Sequence, residues 1–330
     1  MKKFISFFWL AIITLPLFSQ GRLQYWGNTE LYIQDQASII IEEVYKVLSV
    51  YPPGTTVGSE RKTALFALDA LLHDTRLDNG TSFRAYMDKM AGDIAADLQK
   101  NKPSGKEVRF FRFYNHGFIV QTSTVTIAFD LVRAEYIGSP APVSESSMRS
   151  IVQQCDILFI SHKHADHADY SVAKMFYEQG KNVIVPEEMW NDLSPQVRVL
   201  RGTDMIQETI GSLGLTVCVY PGRQGTTLNN VYIVTLPEGQ TIMHTGDQDA
   251  STDLDAKVAP VKVDVLLVHC WMIPMERFVS AVQPALVITG HENEMGHTID
   301  HREAYWLTFR RMFEVTVPYI VMAWGESYSF

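Results

Sequence analysis

The chain is 330 residues long, 46% apolar and 20% charged, which excludes a disordered polymer and leaves ample sequence for a buried core. Its formal charge is −9 with no long basic run, so nucleic acid is not an expected partner. Cys155, Cys218 and Cys270 are odd in number and widely spaced, a pattern that does not suggest a disulfide framework.

The N-terminus reads as a secretory leader. Lys2 and Lys3 precede an apolar run over 4–18, and Ser19 supplies a small residue at a cleavage position. Residues 1–20 are therefore expected to be a signal peptide, and the mature chain periplasmic or secreted. The run is shorter than the roughly 20 residues of a membrane span, and no later stretch is long and apolar enough to form one.

Residues 28–103 read as a helical N-terminal region. Over 31–50 the apolar positions Ile40, Ile41, Val44, Tyr45 and Leu48 fall close to one helical face, and Pro52-Pro53-Gly54 follows as a stop. A second helix starts at Ser59 and carries Leu65, Leu68, Leu71 and Leu72 on one side. Ser82 is the expected cap of a third, with Tyr86, Met90, Ile94 and Leu98 at four-residue steps. Nothing catalytic is visible here; a lid, a packing layer or an oligomer contact all suit such helices.

From residue 107 the texture changes. Strands are expected at 108–114, 117–121 and 124–129, with Asp130 at the end of the third. A short helix over 147–154 leads to a buried strand at 156–160. A helix at 170–179 and a strand at 183–185 follow. Further strands are expected at 215–220, 231–235, 241–244, 263–268, 285–289 and 319–323, and a helix at 301–313. Strands and helices are interspersed throughout 107–330, so this is a mixed α/β domain.

The chemistry-bearing motif is Ser161-His162-Lys163-His164-Ala165-Asp166-His167, directly after an apolar strand. His162 and His164, two apart, face the same way in extended chain, and Asp166 and His167 come after the chain turns. Neutral imidazoles and a carboxylate are the donors that a borderline cation such as zinc prefers. The alternative for the motif is a charged surface loop.

This pattern resembles the metallo-β-lactamase superfamily, which carries His-x-His-x-Asp-His after a strand. The likeness extends to Thr245-Gly246-Asp247 and Thr289-Gly290-His291, each after a strand, and to Phe113-Tyr114-Asn115-His116-Gly117-Phe118. It covers about 107–330. It implies a four-layer αββα sandwich of two sheets, with a site at one edge of both. It also implies a metal set of His162, His164, Asp166, His167, Asp247 and His291, holding one or two divalent ions, zinc first, with manganese or iron also compatible.

One departure stands out. The family places another histidine between the first cluster and the aspartate, completing the position of His162 and His164. Here the stretch is Tyr220-Pro221-Gly222-Arg223-Gln224-Gly225, in which only Gln224 offers a neutral donor. The position built from Asp166, His167, Asp247 and His291 is intact. His269, at the end of an apolar run, is a candidate replacement or a structural histidine. His244 is a candidate support for Asp247 or an ordinary strand histidine, and His297 has a weaker claim.

The resemblance implies a metal-dependent hydrolase of a small-molecule substrate, with Asp166 or Asp247 orienting and deprotonating the water. The altered position points to lactonase-like and phosphodiesterase-like members, and hence to an ester, lactone or phosphoester. No Gly-x-Ser-x-Gly elbow or Gly-rich phosphate loop is present. The other reading is a catalytically degenerate member that binds a ligand or a partner protein. Oligomeric state is not encoded in any of these features.

Overall fold

Apolar runs that alternate between two covered faces dictate the architecture. In the computed structural model, residues 25–186, 189–193, 197–199, 206–249 and 261–330 are described. The expected leader at 1–20 lies outside them. Three N-terminal helices, α1 (Thr29–Val50), α2 (Ser59–Leu72) and α3 (Thr81–Lys100), precede strands β1 (Arg109–Arg112), β2 (Phe118–Gln121) and β3 (Thr126–Phe129). Then come α4 (Glu145–Gln154), β4 (Ile157–Phe159), α5 (Tyr170–Glu178), β5 (Asn182–Val185), β6 (Val197–Val199) and β7 (Ile206–Ile210). A long hairpin, β8 (Leu215–Gln224) and β9 (Thr227–Thr235), leads to β10 (Thr241–His244), β11 (Val265–His269), α6 (Met275–Val282) and β12 (Leu286–Gly290). The chain ends with α7 (Tyr305–Arg311), β13 (Tyr319–Ile320) and β14 (Ser327–Ser329).

These strands form two seven-stranded sheets, ordered β14-β1-β2-β3-β4-β5-β6 and β13-β12-β11-β10-β9-β8-β7. Period-two alternation splits the central strands between two cores. Phe110, Phe118, Ile127, Phe129, Ile157 and Phe159 of the first sheet meet Val217, Val219, Tyr232, Val234, Val265 and Leu267 of the second in a core between the sheets. The opposite faces are also buried. Phe111, Ile119, Ala128, Leu158 and Val183 pack under helices, and Met243, Leu266, Val268 and Val287 pack under Phe278, Val279 and Val282 of α6. The result is the expected αββα order of layers.

The N-terminal helices share the outer core of the first sheet, with Leu65, Leu68, Met87 and Ile94 wholly buried beside Tyr114 and Trp324. Polar ties fix them. Arg61 bonds both carboxylate oxygens of Glu326 and the Val321 carbonyl, and Arg302 donates to the Leu72 carbonyl and to Asp78. No helix among the described residues is long and apolar enough to cross a membrane.

Several boundaries differ from expectation. Ser82 does not cap α3; Gly80 holds that position, and Ser82 instead donates to Gln34 Oε1 of α1. The expected strand over 319–323 forms pairs only at Tyr319–Ile320. β8 runs on through Gln224, because Pro221 to Gln224 keep pairing with β9. α6 is an additional element, carried by apolar residues at 275, 278, 279 and 282, the spacing of one helical face.

Candidate metal centre

Parallel pairing sets where the site lies. β3 pairs parallel with β4, and β10, β11 and β12 pair parallel in turn. The chain therefore leaves each of these strands at its carboxyl end, where open α/β sheets place their sites. Asp130 follows β3, the segment from Ser161 to His167 follows β4, Asp247 follows β10, and His291 follows β12.

Four of the six expected ligands converge. One donor atom from each of Asp166, His167, Asp247 and His291 lies within 4.8 Å of the others, at the edge of both sheets. Asp247 Oδ2 is 3.2 Å from Nε2 of both His167 and His291, and Asp166 Oδ2 is 3.1 and 3.4 Å from the same two atoms. The other two are adjacent. His162 Nε2 is 3.9 Å from Asp247 Oδ2, and its ring stands 4.6 Å from that of His164. His164 is half-buried, with Nε2 3.3 Å from the Thr227 hydroxyl.

Residues outside the motif hold these side chains in place. Asp130 accepts from the Ser161 amide at 2.7 Å, the Ser161 hydroxyl at 2.6 Å and His167 Nδ1 at 2.8 Å. Asn115 donates to both the carbonyl and the carboxylate of Asp166, and its own carbonyl accepts from the His291 amide at 3.0 Å. Asn229 Oδ1 accepts from the Asp247 amide. Gly246 turns at φ +53°, where a Cβ would come within 2.5 Å of the Ser161 Cβ, so only glycine lets the two loops meet. Asn115, Asp130, His291 and Asn293 also adopt positive φ. Such strained backbone clusters where surrounding contacts over-determine a functional loop.

The charge balance follows from this crowding. Burial opposes ionisation of Asp166 and Asp247, but His167 and its neighbours outweigh it and hold both carboxyls well below their usual range. Burial likewise opposes charge on His291, yet Asp247 and Asp166 raise it to about 10. His167 is also raised, by Asp247, Asp166 and Asp130 against burial. His162 has no such advantage; burial and His167 push it down to about 3, so its ring is neutral.

The remaining histidines stand aside. His269 is wholly buried, with Nε2 2.9 Å from the Gln248 carbonyl, and it does not join the cluster. His244 stacks on Phe129 at 4.7 Å and reaches the His116 carbonyl, lying beneath the site. His297 stacks 5.9 Å from His291 on its outer side. Gln224 is at the site: its Nε2 is 3.1 Å from Asp247 Oδ2. None of the three cysteines belongs to the cluster, and burial raises the Cys155 thiol to about 12.

A divalent cation fits these residues. Two carboxylates and two imidazoles are donors that zinc, manganese and iron all accept. Asp247 Oδ1 and His162 Nε2 are buried without hydrogen-bond partners, which such groups rarely tolerate unless something else satisfies them.

Comparison with known proteins gives the same frame. The family model for a "Beta-lactamase superfamily domain" matches residues 112–291. Igni18, a metallo hydrolase from the hyperthermophilic archaeon Ignicoccus hospitalis, superposes with TM-score 0.53 at 18% identity, over 68% of this chain and 98% of that one. An isothiocyanate hydrolase from Delia radicum gut bacteria superposes with TM-score 0.54 at 14% identity, over 67% and 98%. At these identities the likeness establishes the fold. No curated protein matches the chain.

Proposed function

The chain belongs to the β-lactamase superfamily, and on that premise we propose that it is a metal-dependent hydrolase of a small ester, lactone or phosphoester. The observation that carries this reading is the convergence of Asp166, His167, Asp247 and His291 within 4.8 Å. These four hold the ion, with His162 and His164 beside it. When bound, a divalent cation brings the pKa of a coordinated water to about 7 and polarises a carbonyl or phosphoryl oxygen.

The chain's own residues supply the rest. Asp166 or Asp247 orients the attacking water and accepts its proton. Asp130 fixes the tautomer of His167 so that Nε2 faces the cluster. Trp271, with its ring 5.9 Å from that of His291, lends a partly buried aromatic wall suited to the apolar part of a small substrate.

A panel of chromogenic phosphodiester, lactone and β-lactam substrates, assayed with and without chelator, tests the proposal. Turnover of a lactone or phosphoester that chelator abolishes and zinc or manganese restores is expected. An ion retained without turnover of any substrate would favour the ligand-binding reading.

A further inference from the structure

The two halves of the site are unequally furnished. On one side four donors already crowd together. On the other stand two imidazoles, of which His162 Nε2 is buried without a partner and His164 Nε2 faces the Thr227 hydroxyl. Gln224, at the tip of the β8–β9 hairpin, pairs across the hairpin with Thr227, the residue whose hydroxyl faces His164. Gln224 Nε2 lies 3.1 Å from Asp247 Oδ2, the same oxygen that His167 and His291 approach, and its Oε1 is buried with no hydrogen-bond partner.

We propose that Gln224 makes this a site for one tightly held ion, by occupying the place of a third imidazole beside His162 and His164. The inference rests on the function proposed above. An amide N–H on Asp247 Oδ2 engages a lone pair that a second ion would need and fixes the carboxylate toward the first. Turned the other way, the side chain offers a neutral carbonyl oxygen, a donor suited to magnesium, calcium or manganese rather than zinc. His162 and His164 then supply only two of the four donors that zinc takes in a closed site. A second zinc ion there is weak and exchangeable.

The test is metal stoichiometry of the full chain, read by elemental analysis after zinc loading and dialysis against metal-free buffer. Wild type is expected to retain one zinc per chain, Gln224→Ala one, and Gln224→His two. Titration calorimetry of the metal-free protein should show a second equivalent bound at least about 100-fold more weakly than the first in wild type, the upper end of what supporting residues contribute to metal affinity. In Gln224→His that gap should largely close. Two zinc ions retained by wild type overturn the inference while leaving the hydrolase reading intact. So does a Gln224→His protein with wild-type circular dichroism that retains only one. Wild type retaining none defeats the hydrolase reading itself, and this inference with it. The wild-type count decides the matter even where Gln224→His does not fold.

Discussion

His167 Nδ1 donates to Asp130 Oδ2 across 2.8 Å, with both side chains wholly buried. The bond leaves Nε2 as the nitrogen that faces Asp166 and Asp247. A carboxylate behind a ligating imidazole raises its basicity and locks its orientation. Asp130→Asn keeps the volume but removes the charge. Zinc affinity is expected to fall about 10- to 100-fold, measured by competition with a chromogenic chelator. An unchanged affinity would show that Asp130 serves only to hold the Ser161 turn.

Metal uptake should release protons. In the metal-free protein Asp247 and Asp166 raise His291 to about 10 against the effect of burial, which keeps its ring charged at pH 7, and the same carboxylates raise His167. Ion binding requires both rings neutral. Calorimetry in buffers of different ionisation enthalpy is expected to show net proton release at pH 7, and apparent affinity should rise with pH toward 10. The stability of the metal-free form runs the other way. A raised imidazole pKa contributes stability that is full below the unfolded value of about 6.5 and is lost as the pH climbs through the folded value. The urea midpoint of the chelated protein should therefore fall between pH 7 and pH 10. No proton release would mean that these rings are already neutral.

Asp69 links the N-terminal helices to the loop after His291. Its Oδ1 accepts from Asn293 Nδ2 and from the Tyr305 amide, both at 2.8 Å, and its Oδ2 accepts from the Trp306 amide at 3.1 Å. A side chain on α2 thus caps α7, whose own N-cap, Ala304, has no side-chain acceptor. Asp69→Ala leaves buried donors without partners and should cost about 2 kcal/mol of stability. Burial raises the Asp69 carboxyl to about 6, against the pull of those three donors. An acid raised in the folded state favours folding most below its unfolded pKa and loses that contribution as the pH rises through 6. The decline in wild-type stability from pH 4 to 6 should accordingly be shallower in Asp69→Ala, as followed by urea denaturation.

Much of the site was legible because its parts are local in the chain. The cluster from His162 to His167 needs only one strand and one turn to form, and Asp247 and His291 follow apolar strands by three residues and one. The layer order came from the resemblance and from no local pattern, because strands buried on both faces, such as β2, β3, β4 and β11, read as continuous apolar runs. The supporting contacts were not legible. Asp130 read only as the end of a strand, because its partner His167 lies 37 residues away. Asn115 fell between two expected strands and Asn229 carried no signal, for the same reason. Gln224 was visible as an odd donor, but its contact with Asp247 depends on β8 running past Pro221, which no local pattern announced. His269 carried a plausible signal, yet the Gln248 carbonyl takes its Nε2.

Anomalous diffraction at the zinc absorption edge, on crystals grown with zinc, tests the central claim most directly. A peak is expected about 2.0–2.2 Å from donor atoms of Asp166, His167, Asp247 and His291, and it should vanish in Asp247→Ala. A well-ordered structure with no anomalous peak at these four residues, or with its peak on other side chains, would contradict the account.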